Sequence, residues 1–256
     1  MTPRVICLDV DGTLTDGVLG PPLSGAVDAL QRLRARSPVR LVSNTTSTPH
    51  RVYAAKLLAQ GLLDEPSSLV IPATAARRIL TDRGHHAGLL LVEPEARQDY
   101  DWFHEDPGGP AVVLATEAHD LTIRELQPAF RRLLEGAAFY TLQRNRFFRR
   151  GVSYVTDLGP VAAFLSYASG REPETIGKPS PLLYDAIARD AGVRREELVM
   201  VGDDAEFDVA GSVALGMTGV LVRTGKYRQG DEARVAPAPS ATLADIAALP
   251  EWLGIA

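Results

Sequence analysis

The 256-residue chain contains one cysteine, Cys7, and no cysteine pair or histidine grouping with zinc-ligand spacing. An intramolecular disulfide is therefore excluded, and nothing points to a zinc centre. No apolar run approaches the roughly 20 residues of a membrane span. Asp9 and Asp11 interrupt the apolar stretch near the start, so the pattern of a signal peptide is missing as well. An excess of basic charge is also lacking: 27 Lys and Arg stand against 32 Asp and Glu, a net charge of -5. That balance argues against a nucleic-acid partner. Internal repeats and low-complexity segments are absent too. What is present is 45% hydrophobic residues, ample for a core. A cytoplasmic protein with neither membrane nor nucleic acid as partner is expected, with Cys7 a small buried side chain in the first strand.

Short apolar runs alternate with amphipathic helical stretches, the signature of a parallel α/β sheet. Val5–Leu8 reads as the first strand, and Ser24 as the cap of a helix that buries Val27, Leu30 and Leu33. Arg40–Val42 is the next run. Thr48-Pro49 starts a helix that Gly61 ends, and Leu69–Ile71 is a third strand before a helix over 74–82. From about Gly84 the rhythm continues as a second unit. Its strands are 89–92, 111–114 and 138–142, its first helix is broken or kinked at Pro128, and its last covers 157–168. The first pattern then returns, with a helix over 181–191, the run Leu198–Val201, a helix over 205–215 and a strand over 219–222. The division expected is a doubly wound core of 1–83 and 173–256, interrupted by an inserted α/β unit over 84–172. The basic segment Arg144–Arg150 reads as a solvated loop with Phe147 or Phe148 packed beneath it. His85, His86, His104 and His119 are scattered and receive no ligand role.

Three polar groups follow directly on short apolar runs: Asp9 with Asp11, Ser43 with Asn44, and Asp203 with Asp204. In a parallel sheet these positions share one edge, the carboxyl ends of the strands, where open α/β sheets bind ligands. Asp9 and Asp11, two apart on an extended backbone, face the same side. A hard cation held by oxygens would relieve their repulsion, and so would a proton kept on one of the pair; acidic side chains gathered from distant segments need a counter-ion, and a donor set of oxygens alone favours magnesium. Lys178, in a proline-restricted loop ahead of a helix, adds fixed positive charge. With Ser43, Asn44 and a metal ion it supplies the donors a phosphate wants. Each feature has an ordinary counterpart when taken singly: Asp11-Gly12 as a tight turn, Ser43–Thr48 as a helix-leading loop, Lys178 as a surface lysine, Asp203-Asp204 as a capping pair. Their joint occurrence in one order at strand ends favours a site.

The chain resembles the haloacid dehalogenase superfamily on these residues. Asp9 to Leu14 stands as Asp-x-Asp-Gly-Thr-Leu, Ser43 follows a strand, Lys178 forms the third motif, and Gly202-Asp203-Asp204 with Asp208 forms the fourth. The segment from Leu198 to Tyr227 and the stretch AFRRLLEGAAFY resemble the branch with a large α/β cap between the second and third motifs. The resemblance covers nearly the whole chain. It implies a magnesium-dependent phosphatase with Asp9 as nucleophile and Asp11 as proton carrier. It further implies metal ligation by Asp9, the backbone carbonyl of Asp11 and Asp203, and phosphate binding by Ser43, Asn44 and Lys178. Asp204 and Asp208 take supporting roles. The implied substrate is a small phosphorylated molecule, and the cap would select it and pair two copies of the chain as a homodimer. The alternative is a non-catalytic phospho-ligand-binding or regulatory protein on the same fold. A receiver-type phosphotransfer module is disfavoured by the large insertion.

Overall fold

Two strands, Val5–Leu8 and Leu198–Gly202, are buried at every residue. Such runs need cover on both faces, and they form the centre of a parallel sheet. The computed structural model describes residues 3–115, 121–150 and 153–255. Its contacts divide into two compact units, one of 1–43, 51–70 and 178–256, the other of 44–50 and 71–177.

In the first unit six parallel strands run in the order Ala241–Leu243, Thr218–Val222, Leu198–Gly202, Val5–Leu8, Val39–Val42 and Leu69–Val70. Numbered along this unit, the order is 6-5-4-1-2-3. The chain leaves the first strand to one side, then returns to build on the other. Right-handed crossovers put the connections of the two halves on opposite faces, so the sheet is doubly wound. The switch point lies between the first and fourth strands, where Leu8 sits beside Val201 in register.

The second unit carries a five-stranded parallel sheet in the order Glu174–Thr175, Ala138–Thr141, Ala111–Leu114, Ala87–Leu91 and His104–Glu105. Its helices Ile123–Leu134 and Leu158–Ser169 pack on each other. The segment read as the insertion falls inside this unit, which also takes in the helix Pro72–Asp82.

Several local expectations change. Ser24 does not cap the first helix; Gly25, at φ 76°, ends the approach to Ala26–Arg34 with no side-chain cap bond. Leu30 and Leu33 are buried as expected, with Ala26 and Ala29 completing the stripe in place of Val27. Pro128 does not break its helix, which runs unbroken from Ile123 to Leu134. A reciprocal Thr122–Glu125 cap starts this helix, and the buried Leu126, Ala129 and Leu133 hold it, outweighing one missing N–H. Phe147–Arg150 is a strand, paired antiparallel with Ser153–Thr156. Phe147 is exposed, because a two-stranded ribbon offers no sheet of its own to bury it. His119 and the side chain of Phe148 lie outside the described residues. His85 is bound to the hydroxyl of Tyr140 at 2.8 Å.

Candidate active site

Asp9, Ser43 and Asp203 each stand one residue past the end of adjacent parallel strands, so the sheet register alone brings them to one edge. Asp9 is 6% exposed and Asp203 1%. Asp9 is fixed by its backbone N–H, which donates to the Val201 carbonyl at 2.8 Å, and by Thr13, whose hydroxyl donates to Asp9 Oδ2 at 3.2 Å.

Lys178 arrives from just before the helix Pro181–Asp190, whose first turn is capped by Ser180. It is 2% exposed, hence no surface lysine. Its Nζ lies 2.5 Å from Asp9 Oδ1 and 2.8 Å from Asp208 Oδ1. Asp208 also accepts the Asp204 backbone N–H at 3.2 Å, so it holds the lysine between a helix start and the first strand. The Asp203-Asp204 pair divides its work. Asp204 is the cap, its Oδ1 accepting from Glu206 and Phe207 at 3.1 and 3.0 Å. Asp203 turns instead toward Asp9, and Asp9, Asp203 and Asp208 each place a carboxylate oxygen within 4.8 Å of the others.

Gly12 is needed here for space rather than for a hairpin. It sits at φ +99°, and a Cβ on it would overlap the Asp203 carboxylate; a Cβ on Gly225, at φ +56°, would overlap the same carboxylate. The loop Thr224–Lys226 thereby closes on the acidic group. Thr224 Oγ1 donates to the Gly12 carbonyl at 2.6 Å, the Lys226 N–H to Asp203 Oδ2 at 2.6 Å, and Lys226 Nζ to Asp204 Oδ2 at 3.2 Å. This loop was absent from the candidate residues. It follows the strand Thr218–Val222, so the strand-end rule that located the other clusters applies to it equally. Tyr53 was also missed. Its hydroxyl donates to Asp11 Oδ1 at 2.5 Å, while Ser43 Oγ donates to Asp11 Oδ2 at 3.0 Å. Nothing about a tyrosine within an ordinary helical stretch marks it in the sequence. Asn44 is counted with the second unit, where its carboxamide lies against Gly177.

Burial dominates the proton equilibria. It raises Asp9 against the pull of Lys178, and raises Asp11 against hydrogen bonds from Tyr53 and Ser43. Asp203 is pushed up to about 8, first by burial and then by the charges of Asp9 and Asp208; Asp208 rises to about 7. Burial alone would discharge Lys178, but Asp208 and Asp9 outweigh it and keep the ammonium charged. Burial also pushes Cys7 up to about 12, which makes its thiol inert.

A raised folded-state carboxylate favours folding fully only below its unfolded value of about 3.9, and that contribution is lost as pH rises through the folded value. For Asp203 the loss runs up to about pH 8. Metal-free protein is therefore expected to melt at a lower temperature near pH 8 than near pH 6. Asp203→Asn should raise the metal-free melting temperature near pH 8 by a few degrees, since it removes one buried like charge. Calorimetry in EDTA checks this, and an Asn variant that melts lower than wild type at that pH would contradict it.

An acidic pair on the first strand's loop, a lysine from a distant helix start and a further aspartate at the switch point define a hydrolase of the haloacid dehalogenase type. The chain belongs to the haloacid dehalogenase-like hydrolase family. The profile of that description matches residues 6–101, and a second, described as HAD-hydrolase-like, matches residues 175–249. Haloacid dehalogenase-like hydrolase domain-containing protein 2 of Bos taurus is 34% identical over 241 residues, covering 93% of this chain and 91% of that protein. Phospholysine phosphohistidine inorganic pyrophosphate phosphatase of Bos taurus is 34% identical over 235 residues, covering 90% of this chain and 86% of that protein. The crystal structure of a glycerol phosphate phosphatase from Mycobacterium tuberculosis in complex with magnesium shares the fold. Its TM-score is 0.83 at 22% identity, over 97% of this chain and 76% of that one.

Proposed function

We propose that the protein is a magnesium-dependent phosphatase that hydrolyses a small phosphorylated molecule through an aspartyl-phosphate on Asp9. The observation that carries this reading is the buried Asp9 carboxylate, held between Lys178 and Thr13 at the sheet's switch point. A carboxylate fixed in this way can serve as a nucleophile toward phosphorus.

The donor set suits the metal. Asp9, Asp203 and Asp208 are three buried carboxylates, and the buried Lys178 ammonium pairs with two of them, Asp9 and Asp208. The surplus negative charge and the all-oxygen donors fit a hard divalent cation. Asp9, Asp203 and the backbone carbonyl of Asp11 would hold the ion, while Asp208 is engaged with Lys178. Bound there, magnesium supplies charge neutralisation between the nucleophile and the phosphoryl group.

The chain's own groups perform the steps. Asp9 attacks phosphorus as the bond to the leaving oxygen breaks, and Asp11 gives that oxygen its proton. Asp11 then takes a proton from the water that attacks the aspartyl-phosphate, which returns Asp9 and releases phosphate. Lys178, Ser43 and Asn44 hold phosphoryl oxygens as charge develops on them. Asp204 and Asp208 keep the metal-side loop and Lys178 in place. The insertion, read as 84–172, acts as the cap that selects the substrate and keeps water out during attack.

The same reading includes a homodimer paired through the insertion. Exposed apolar side chains on its packed helices support this: Ile123, Leu134, Phe164 and Tyr167, the last 94% exposed. Sedimentation of the purified chain is expected to give twice the monomer mass. The reading places the protein in the cytoplasm, in keeping with its lone buried thiol; among the described residues no helix is long and apolar enough to cross a membrane.

The test is a panel of phosphate esters, pyrophosphate and phosphoamino acids assayed with magnesium. Phosphate release that stops with EDTA and returns with added magnesium is expected. Release from no member of the panel, with magnesium binding intact, would favour a non-catalytic phospho-ligand-binding protein instead.

A further inference from the structure

Asp11 accepts a hydrogen bond from a neutral hydroxyl group at each of its carboxylate oxygens. Tyr53 donates to Oδ1 at 2.5 Å and Ser43 to Oδ2 at 3.0 Å. The two donors come from different elements, Tyr53 from a helix and Ser43 from a strand end. Tyr53 is 0% exposed and projects from the helix His50–Ala59, so its hydroxyl reaches Asp11 from a buried ring. Burial and the Asp11 charge raise the Tyr53 phenol, so it remains a donor throughout. Ser43, 1% exposed, has a hydroxyl with one proton, which it can give to only one acceptor at a time.

We propose that Tyr53 is the positioning residue of Asp11: its hydroxyl holds Oδ1 and so aims Oδ2 at the leaving oxygen. This rests on the phosphatase reading above. When Oδ2 is protonated it no longer accepts from Ser43, so the Ser43 hydroxyl turns, and a phosphoryl oxygen becomes its acceptor. As Asp9 bonds to phosphorus and the phosphorus–oxygen bond breaks, the Oδ2 proton passes to the leaving oxygen. Asp11 then accepts from both hydroxyls, the contacts observed here. The attacking water returns a proton to Oδ2 as phosphate departs. One serine hydroxyl thus serves Asp11 and phosphate in turn, and this joins its observed contact to the phosphate-binding role expected from sequence.

The test uses leaving groups of different basicity. An alkyl phosphate needs the proton at departure; 4-nitrophenyl phosphate scarcely does. Tyr53→Phe keeps the ring and removes the anchor. It is expected to lower kcat/KM for the alkyl ester by about tenfold or more, and for 4-nitrophenyl phosphate by less than about threefold. KM should change little, and in an Asp11→Asn background the Phe substitution should add nothing further. Equal losses with both esters, or no loss with either, would overturn the assignment. A wild-type enzyme that releases phosphate from no ester would instead remove the reading beneath it. The wild-type crystal structure with magnesium and orthovanadate tests the same point without a variant. Tyr53 is expected still on Oδ1 with Ser43 turned to a vanadate oxygen, and a Tyr53 hydroxyl turned away from Asp11 would contradict the proposal.

Discussion

Replacing Asp9 by Asn is expected to lower phosphate release by about 10³-fold or more while the protein stays folded. Asn has the carboxylate's shape but not its nucleophilic charge. The substitution also takes one negative charge from a group in which three buried carboxylates, Asp9, Asp203 and Asp208, lie together and outnumber the buried Lys178 ammonium. Lys178 keeps Asp208, so no buried cation is stranded. Turnover should therefore collapse without a matching fall in melting temperature. Initial rates on the best ester of the panel, read beside calorimetry, check both halves. Activity within about tenfold of wild type would rule out Asp9 as the attacking group.

Lys178→Met should act on stability as well as on turnover. The lysine is 2% exposed and joins two buried carboxylates at 2.5 and 2.8 Å. Methionine fills the space but leaves both carboxylates without their cation, a defect that costs about 3–5 kcal/mol when a buried pair is broken. In a chain of this size each kcal/mol moves the melting temperature by roughly 2–4 °C, so a fall of roughly 6–20 °C is expected. Adding Asp208→Asn should recover part of it, because the orphaned charge is then removed. An unchanged melting temperature in the single variant would mean that the buried ion pair contributes little to the fold.

The strand-end clusters were legible in the sequence because one rule finds them. A parallel strand buried on both faces ends abruptly, and the first polar side chain beyond it lies at the ligand edge. Asp9, Ser43 and Asp203 follow from that rule, and so does the Thr224–Lys226 loop, which escaped notice because a threonine, a glycine and a lysine look like any turn. Tyr53 follows from no rule. Its link to Asp11 depends on how one helix face packs beside the first strand, and neither spacing nor composition encodes that. Gly12 carries a related lesson: its value lies in the space it leaves for Asp203, a residue 191 positions away. Ser24 and Pro128 misled for a simpler reason. Local preference named a cap and a break, and in the folded protein a left-handed Gly25 and the buried face of Ile123–Leu134 decide otherwise.

In the proposed mechanism Asp9 carries the phosphoryl group between substrate and water. Its most direct test is rapid acid quench of the magnesium-loaded enzyme during turnover of a radiolabelled phosphate ester, followed by peptide mapping. The label is expected on the peptide that contains Asp9, absent in Asp9→Asn, and lost on treatment with hydroxylamine, as an acyl phosphate requires. Full turnover with no protein-bound label at any quench time, or label on a peptide lacking Asp9, would contradict it.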